Sequence, residues 1–362
     1  MREIRISLAA IVVLLIAIGL VMIYSSSAIY AMQEMGDPAY FLNRHIMFLV
    51  LGIIPTIFVM TFDYRDLRKI VKPLLVITII LLVFVLIPGI GKSTYGARRW
   101  FRIGPINFQP SELAKLTVLF YVADFLARKK SKVSSFVEGF LPLVMVLAVS
   151  ALLIVKQPDL GNTVLIASVI LIMMFVAGAN VLHIGILTLL SMPILYYLIA
   201  RVPYRLKRII AFLDPWQDSQ GIGFQLSQSQ IALGSGGIFG VGPGHSVQKL
   251  FYLPAAHTDF ILSIIGEEFG LVGTLLIVVL FAAFIWQGAR IAKRTTDPFG
   301  YYLAVGIVSM LGLQAVVNIG VSIGAFPTKG LPLPFISYGG SALIFNLIAV
   351  GLLLNISRVQ DL

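Results

Sequence analysis

Ten stretches of about 16 or more residues, at about 6–25, 46–62, 73–88, 111–127, 139–155, 160–178, 181–200, 260–286, 301–323 and 337–356, are apolar and nearly free of charge. Such runs have one solvent to fold in, a lipid bilayer. A helix crosses the hydrocarbon layer in about 20 residues, and in lipid only helices and closed barrels satisfy every backbone polar group. Runs such as Ile11 to Leu20 are continuous rather than alternating, so they read as helices and not as barrel strands. The predicted fold is all-α: a polytopic membrane helical bundle of about ten transmembrane helices, one integral membrane domain over residues 1–362. Composition agrees, with 59% hydrophobic and 12% charged residues, where soluble domains have about 45–50% and 25%. Arg2 and Arg5 precede the first run and no cleavage pattern follows Tyr24, so the run reads as a retained signal anchor.

Lys and Arg outnumber Asp and Glu by 27 to 16, and the net charge of +11 is concentrated on short loops. That balance favours anionic lipid headgroups or phosphates as partners, with membrane lipids first and nucleic acid not expected. The chain has no cysteine and only four histidines, which argues against zinc and redox enzymes. Loop 63–72 carries Arg65, Arg68, Lys69 and Lys72, loop 128–138 carries Arg128, Lys129, Lys130 and Lys132, and loop 287–300 carries Arg290, Lys293 and Arg294. All three fall on the side of both termini, which the positive-inside rule places in the cytoplasm. The outer loops are basic as well. Loop 89–110 has Lys92, Arg98, Arg99 and Arg102, and loop 201–258 has Arg201, Arg205, Lys207, Arg208 and Lys249, an excess that an anionic ligand outside would explain.

The long extracytoplasmic loop between the seventh and eighth runs, 201–258, exceeds ordinary connection lengths, and such loops tend to be functional. Within GIGFQLSQSQIALGSGGIFGVGPGHS, glycine clusters flank Gln225 to Ala232, a short re-entrant or interfacial helix between flexible turns; a plain glycine loop is the alternative.

Ionisable groups in or beside membrane helices are costly and mark candidate sites. Glu112 and Lys115 in QPSELAK are three apart and can meet on one helix face, either as a structural pair or with Lys115 offering charge to a phosphate or carboxylate. Asp259, in AAHTDFILSIIGEE, is expected in the first turn of the eighth helix at the outer surface, where a helix N-terminus keeps a carboxylate ionised. It is the leading catalytic candidate, and a helix-capping acid is the bland reading. Glu267 and Glu268 lie about 12–14 Å deeper beside Gly266, Gly270 and Gly273, where a buried polar junction is expected. Asp159 in KQPDLG is either a cap or a site residue, and Lys329, the only charge in GAFPTKGLPLPFISYGGSA, is either solvated or a phosphate contact. Three prolines hold that last segment out of a regular helix until about Ser337.

QPSELAKL, SVQKLFYLPAAHTDFILSIIGEEFG and FPTKGLPLPFISYGGSA, in that order, resemble the SEDS family of shape, elongation, division and sporulation proteins. The likeness spans essentially the whole chain, and YLPAAHTDFI, the Ser25 to Ser27 run and FPTKGLPLPFISYGG resemble its division and sporulation branch more than its elongation branch. The resemblance implies a peptidoglycan glycosyltransferase that polymerises lipid II, a disaccharide-pentapeptide on undecaprenyl diphosphate, at the outer face of the bacterial cytoplasmic membrane. It maps the family's essential acid onto Asp259, a paired cavity-lining set onto Glu112 and Lys115, a further site acid onto Asp159, and a segment near substrate onto Arg99 and Trp100 of GARRWF. It also implies a single-span class B penicillin-binding protein as partner, for which Gly306, Gly312 and Gly320 are candidate contacts or internal packing positions.

The implied reaction needs a base near a sugar hydroxyl, assigned to Asp259, and positive charge near a leaving diphosphate, assigned to Arg99, Arg102 and Lys329. A divalent cation, Mg or Mn, bridging Asp259 and diphosphate oxygens is an expectation of that chemistry; no organic cofactor is expected. Two rival readings are a lipid II flippase and a non-catalytic scaffold for the transpeptidase. A flippase calls for polar groups along the whole crossing and broken helices near the midplane, and most runs here are uninterrupted.

Overall fold

The computed structural model describes residues 1–94, 97–104, 106–129, 132–217, 221, 223–250, 253–254 and 256–359. Of the residues and motifs named above, Gly96, Lys130, Ile222, Phe251, Tyr252 and Ala255 lie outside the described residues. The helices are α1 (Arg2–Met35), α2 (Tyr40–Thr61), α3 (Leu67–Phe84), α4 (Pro110–Arg128), α5 (Leu141–Lys156), α6 (Leu160–Val176), α7 (Val181–Ala200), α8 (Pro203–Leu213), α9 (Phe224–Ser235), α10 (Ile261–Arg294), α11 (Pro298–Ser322) and α12 (Gly340–Val359). Local chemistry sets many of their ends. Gly36 takes φ 73° after α1 and returns its N–H to Met32 O, Asn180 and Asp297 cap α7 and α11, and Pro110 and Pro298 occupy first turns where no amide hydrogen is needed.

The molecule is an all-α polytopic bundle whose exposed surface is apolar, as a lipid-facing surface must be: Val13, Ile54, Phe58 and Leu189 all point outward. Helices α11 and α12 lie at the centre, while α7 has no buried residue at all. Among the described residues, seven helices are long and apolar enough to cross a membrane by length and composition, not ten. The difference has a physical origin in the other three runs. α6 is a shorter apolar helix, α3 begins with Arg68, Lys69 and Lys72, and α4 carries Glu112, Lys115, Asp124 and Arg128. The charges on α4 are paired internally, Asp124 with Arg68 and Arg128, and Glu112 with Lys115.

Two connecting segments differ from expectation. Loop 89–110 folds into a small antiparallel sheet of β1 (Lys92–Thr94), β2 (Ala97–Ile103) and β3 (Ile106–Phe108), in that order, with Lys92 opposite Trp100 and Arg102 opposite Asn107. Charged and aromatic residues on both faces of β2 hide the period-two signal from the sequence. Loop 201–258 contains the expected short helix, α9, and also the amphipathic α8.

α10 is broken at Gly270, which adopts φ 65° and ψ −158°. A break leaves backbone groups unpaired in a setting where water is scarce. The glycine-rich segment after α9 satisfies them: Val241 and Gly242 donate to Glu267 O and Glu268 O, at 2.9 and 3.1 Å, while Leu271 and Val272 donate to Gly237 O and Ile238 O, at 2.9 and 3.2 Å. Close approach is possible because Gly236, Gly240 and Gly270 lack side chains; a Cβ at Gly270 would meet Gly240 N and Ile238 O. Gly270→Ala is therefore expected to cost more than about 2 kcal/mol, from left-handed strain and the clash together, read as a lowered midpoint of thermal unfolding. The candidate partner contacts Gly306, Gly312 and Gly320 face inward, against Leu119 and Met173, Ile285, and Phe326.

Candidate active site around Asp259

The turn 256–260 leads into α10, and Asp259 lies one residue before Phe260, the N-cap, rather than in the first helical turn. Its half-buried carboxylate caps nothing; among the described residues it takes part in no hydrogen bond. The backbone is held instead. Asn318 of α11 donates both amide hydrogens, one to Asp259 O and one to Leu331 O, each at 2.9 Å. One turn earlier Gln314 donates to Pro332 O at 2.8 Å. Two buried amides on one helix face thus tie the turn of Asp259 to the proline-rich segment, so that Gly330 faces the carboxylate, its Cβ position 3.7 Å from Oδ2. Tyr338 adds a third tie, donating its N–H to His257 O at 2.9 Å. Asn318→Leu is expected to cost about 2 kcal/mol, one for each hydrogen bond, and to lower catalytic rate beyond any loss of folded protein, measured as activity per mole of folded chain.

Two arginines act on the carboxylate. Arg208 of α8 donates to Thr328 O at 3.2 Å and lies over the Tyr204 ring, and Arg99 of β2 donates to Gln157 O at 2.9 Å and lies near the Trp100 ring. Burial pushes the Asp259 carboxyl up to about 6, and the attraction of Arg208 and Arg99 limits the rise. Burial lowers Lys329, and burial followed by repulsion from Arg99 lowers Arg205. A carboxylate raised toward neutrality by burial and attracted by Arg208 and Arg99 can accept a proton beside an anionic group. His257, pushed down to about 4 by burial, is neutral and sits in an aromatic cluster with Phe41, Tyr30 and Tyr338.

The sequence matches the cell cycle protein family of FtsW, RodA and SpoVE over residues 5–362. The chain belongs to that family. It is 47% identical over 351 residues to a probable peptidoglycan glycosyltransferase FtsW of Geobacter metallireducens, covering 96% of this chain and 94% of that one. Stage V sporulation protein E of Bacillus subtilis is 44% identical over 351 residues, covering 97% and 96%. Among solved structures, a chain from a peptidoglycan synthase complex that coordinates polymerization and crosslinking superposes with TM-score 0.81 at 29% identity, over 98% of this chain and 97% of that one. The rod shape determining protein RodA of Thermus thermophilus superposes with TM-score 0.73 at 28% identity over the same shares.

In this FtsW/RodA/SpoVE-family chain the other sequence candidates are distributed as follows. Lys115 and Glu112 pair at 2.8 Å with almost no exposure, and Lys115 also donates to Gln314 Oε1 at 3.3 Å, which joins the pair to the amides behind the Asp259 turn. Asp159 caps α6, accepting from Asn162 N, Asn162 Nδ2 and Gln109 Nε2 at 3.2, 2.9 and 3.1 Å. Arg102 is exposed and lines a cleft with Tyr40, Arg44 and Lys92 rather than joining the cations at Asp259. Glu267 and Glu268 form the buried junction: Glu267 accepts from Ser246 Oγ and Val247 N, and Glu268 from Lys249 Nζ at 2.7 Å and Ser25 Oγ at 2.7 Å. Gln314 and Asn318 are not apparent as site residues from the sequence, and Arg208 stands there only as one of the loop cations that an anionic ligand would explain. The signal for the amides was present, two polar residues four apart in an otherwise apolar run.

Proposed function

We propose that this chain is a peptidoglycan glycosyltransferase that polymerises lipid II at the outer face of the bacterial cytoplasmic membrane, with Asp259 as its base. The observation that carries the reading is the Asp259 carboxyl, half-buried before α10, facing Gly330 of the proline-rich segment and attracted by Arg99 and Arg208, with burial raising it to about 6. Family membership and the names of the relatives support the reaction class, and 47% identity to an FtsW-named relative against 28% to RodA favours the division branch.

In this reading α1 to α7 and α10 to α12 make ten crossings, with α3, α4 and α6 completing the count, and α8 and α9 remain on the outer side. Both termini and the basic loops 63–72, 128–138 and 287–300 are then cytoplasmic. The 4-hydroxyl of one lipid II attacks the anomeric carbon of a lipid-linked glycan. Its proton passes to Asp259, the new glycosidic bond forms, the bond from the anomeric carbon to the diphosphate breaks, and the lipid diphosphate departs. Arg99 and Arg208 offset the charge that develops on that leaving group. Trp100 braces Arg99, and the tie between Asp159 and Gln109 holds the start of α4 beside it.

Among the described residues no group of three His, Asp or Glu side chains converges as a metal site. A Mg or Mn ion at Asp259 would take one protein carboxylate and complete its shell from substrate oxygens, supplying further positive charge at the diphosphate. Chelation is expected to lower polymer yield, and an unchanged yield would remove the ion from the account. The class B penicillin-binding protein is the proposed partner, supported by the solved synthase complex.

The broken α10 is the feature a transporter would use, but the segment 237–242 occupies the break and pairs its backbone groups with hydrogen bonds. The test is the linkage chemistry of the product made by purified chain from lipid II. A single displacement inverts the anomeric centre, so every new linkage is expected to be opposite in configuration to that of the lipid-linked donor; retained configuration would reject the one-base mechanism.

A further inference from the structure

Strand β2 separates two sets of cations. Arg99 turns toward Gln157 and the Asp259 site, while Arg102, three residues on, emerges on the opposite face with its cross-strand partner Asn107 and with Lys92, which pairs opposite Trp100. That second face and the start of α2 enclose a cleft of about 210 Å³ lined by Tyr40, Arg44, Lys92, Arg102, Gly104 and Asn107. Three cationic side chains, an amide and a phenol converge there, and none of the described lining residues is acidic. Arg44 is oriented by its 2.7 Å hydrogen bond to the Tyr40 hydroxyl. Such a cleft has the composition of a phosphate site: point charges, a planar guanidinium fork and neutral donors with no competing carboxylate. It is also next to the reaction site, because Phe41, the residue after Tyr40, packs its ring 4.4 Å from that of His257, two residues before Asp259.

We propose that this cleft is a second anion subsite, which holds the diphosphate of the attacking lipid II while the Arg99 and Arg208 set holds the diphosphate that leaves. The proposal rests on the polymerase reading above and deepens it. Chain growth consumes two lipid-linked diphosphates at once, one whose bond breaks and one that stays intact. The attacking hydroxyl belongs to the sugar farther from its own diphosphate. When that hydroxyl is at Asp259, its diphosphate must lie a disaccharide away, outside the Arg99 and Arg208 set. The opposite face of the same strand meets that requirement, and the strand then sets the two anions apart.

The test measures binding and activity separately. The full chain in phosphatidylcholine nanodiscs is titrated with undecaprenyl diphosphate, and bound equivalents are counted for the wild type, Lys92→Gln/Arg102→Gln and Arg208→Gln. Both Lys92 and Arg102 are exposed, so the double variant is expected to fold, which thermal unfolding checks. Two equivalents are expected for the wild type and one for each variant, and in polymerisation the Lys92→Gln/Arg102→Gln protein should need about tenfold or more lipid II for half-maximal rate. One equivalent in the wild type, or two retained in the double variant, overturns the subsite. If phosphatidylglycerol at membrane concentration displaces the second equivalent, the cleft is a phospholipid headgroup site and the proposal is also rejected. A polymerase reading that is itself wrong shows differently, as wild-type protein that makes no glycan whatever its binding count.

Discussion

Asp259→Asn is expected to lower glycan synthesis by about 10³-fold or more while leaving the protein folded and able to bind its partner. General-base catalysis contributes about 10²–10⁴, and an amide of the same shape cannot take the proton. The environment of Asp259 makes the result interpretable. Because burial raises its pKa to about 6, the ionised form is disfavoured in the fold relative to the unfolded chain. The penalty is absent below about pH 4, grows between about 4 and 6, and is complete above. The Asn variant should therefore be more stable than wild type at pH 7–8, with the advantage gone below about pH 4. Activity has the opposite slope, rising with pH through about 6 as the carboxyl loses its proton. A variant that is both inactive and more stable could not owe its inactivity to misfolding.

Lys115→Met is expected to destabilise the chain by about 3–5 kcal/mol, because it strands Glu112 in a site with almost no water. The two side chains are 1% and 3% exposed and pair at 2.8 Å. Adding Glu112→Gln should recover most of that loss by removing the stranded charge, so the two substitutions are strongly non-additive. Activity should recover less than stability. Lys115 also donates to Gln314, which holds Pro332, and Met cannot restore that link to the loop facing Asp259. A thermal-unfolding cycle gives the coupling, and additive losses would contradict direct pairing. Equal recovery of rate and stability would show that the link to Gln314 has no catalytic consequence.

Much of the fold was legible because a bilayer permits few solutions: apolar runs long enough to cross must be helices, and QPSELAK, HTDF and the proline-rich segment stood out as polar chemistry beside them. The sequence was less informative wherever a residue's partner is distant in the chain. Arg208 reads as one more loop cation until α8 brings it to Thr328, and Arg102 reads as an equal of Arg99 until strand alternation sends the two to opposite faces. The break at Gly270 was hidden for the same reason. Only the approach of 237–242 supplies the hydrogen bonds that make it tolerable, and no periodicity within 260–286 carries that information. Asp259 was visible as an acid at a helix start, but its separation from the cap and its raised pKa come from the tertiary site.

The central claim is tested most directly by glycan-chain formation from purified lipid II by the purified chain, with and without a cognate class B penicillin-binding protein, wild type beside Asp259→Asn. The account predicts polymer from the wild type and none from the variant. Folded, partner-bound wild type that makes no polymer, or a variant that makes as much, would contradict it.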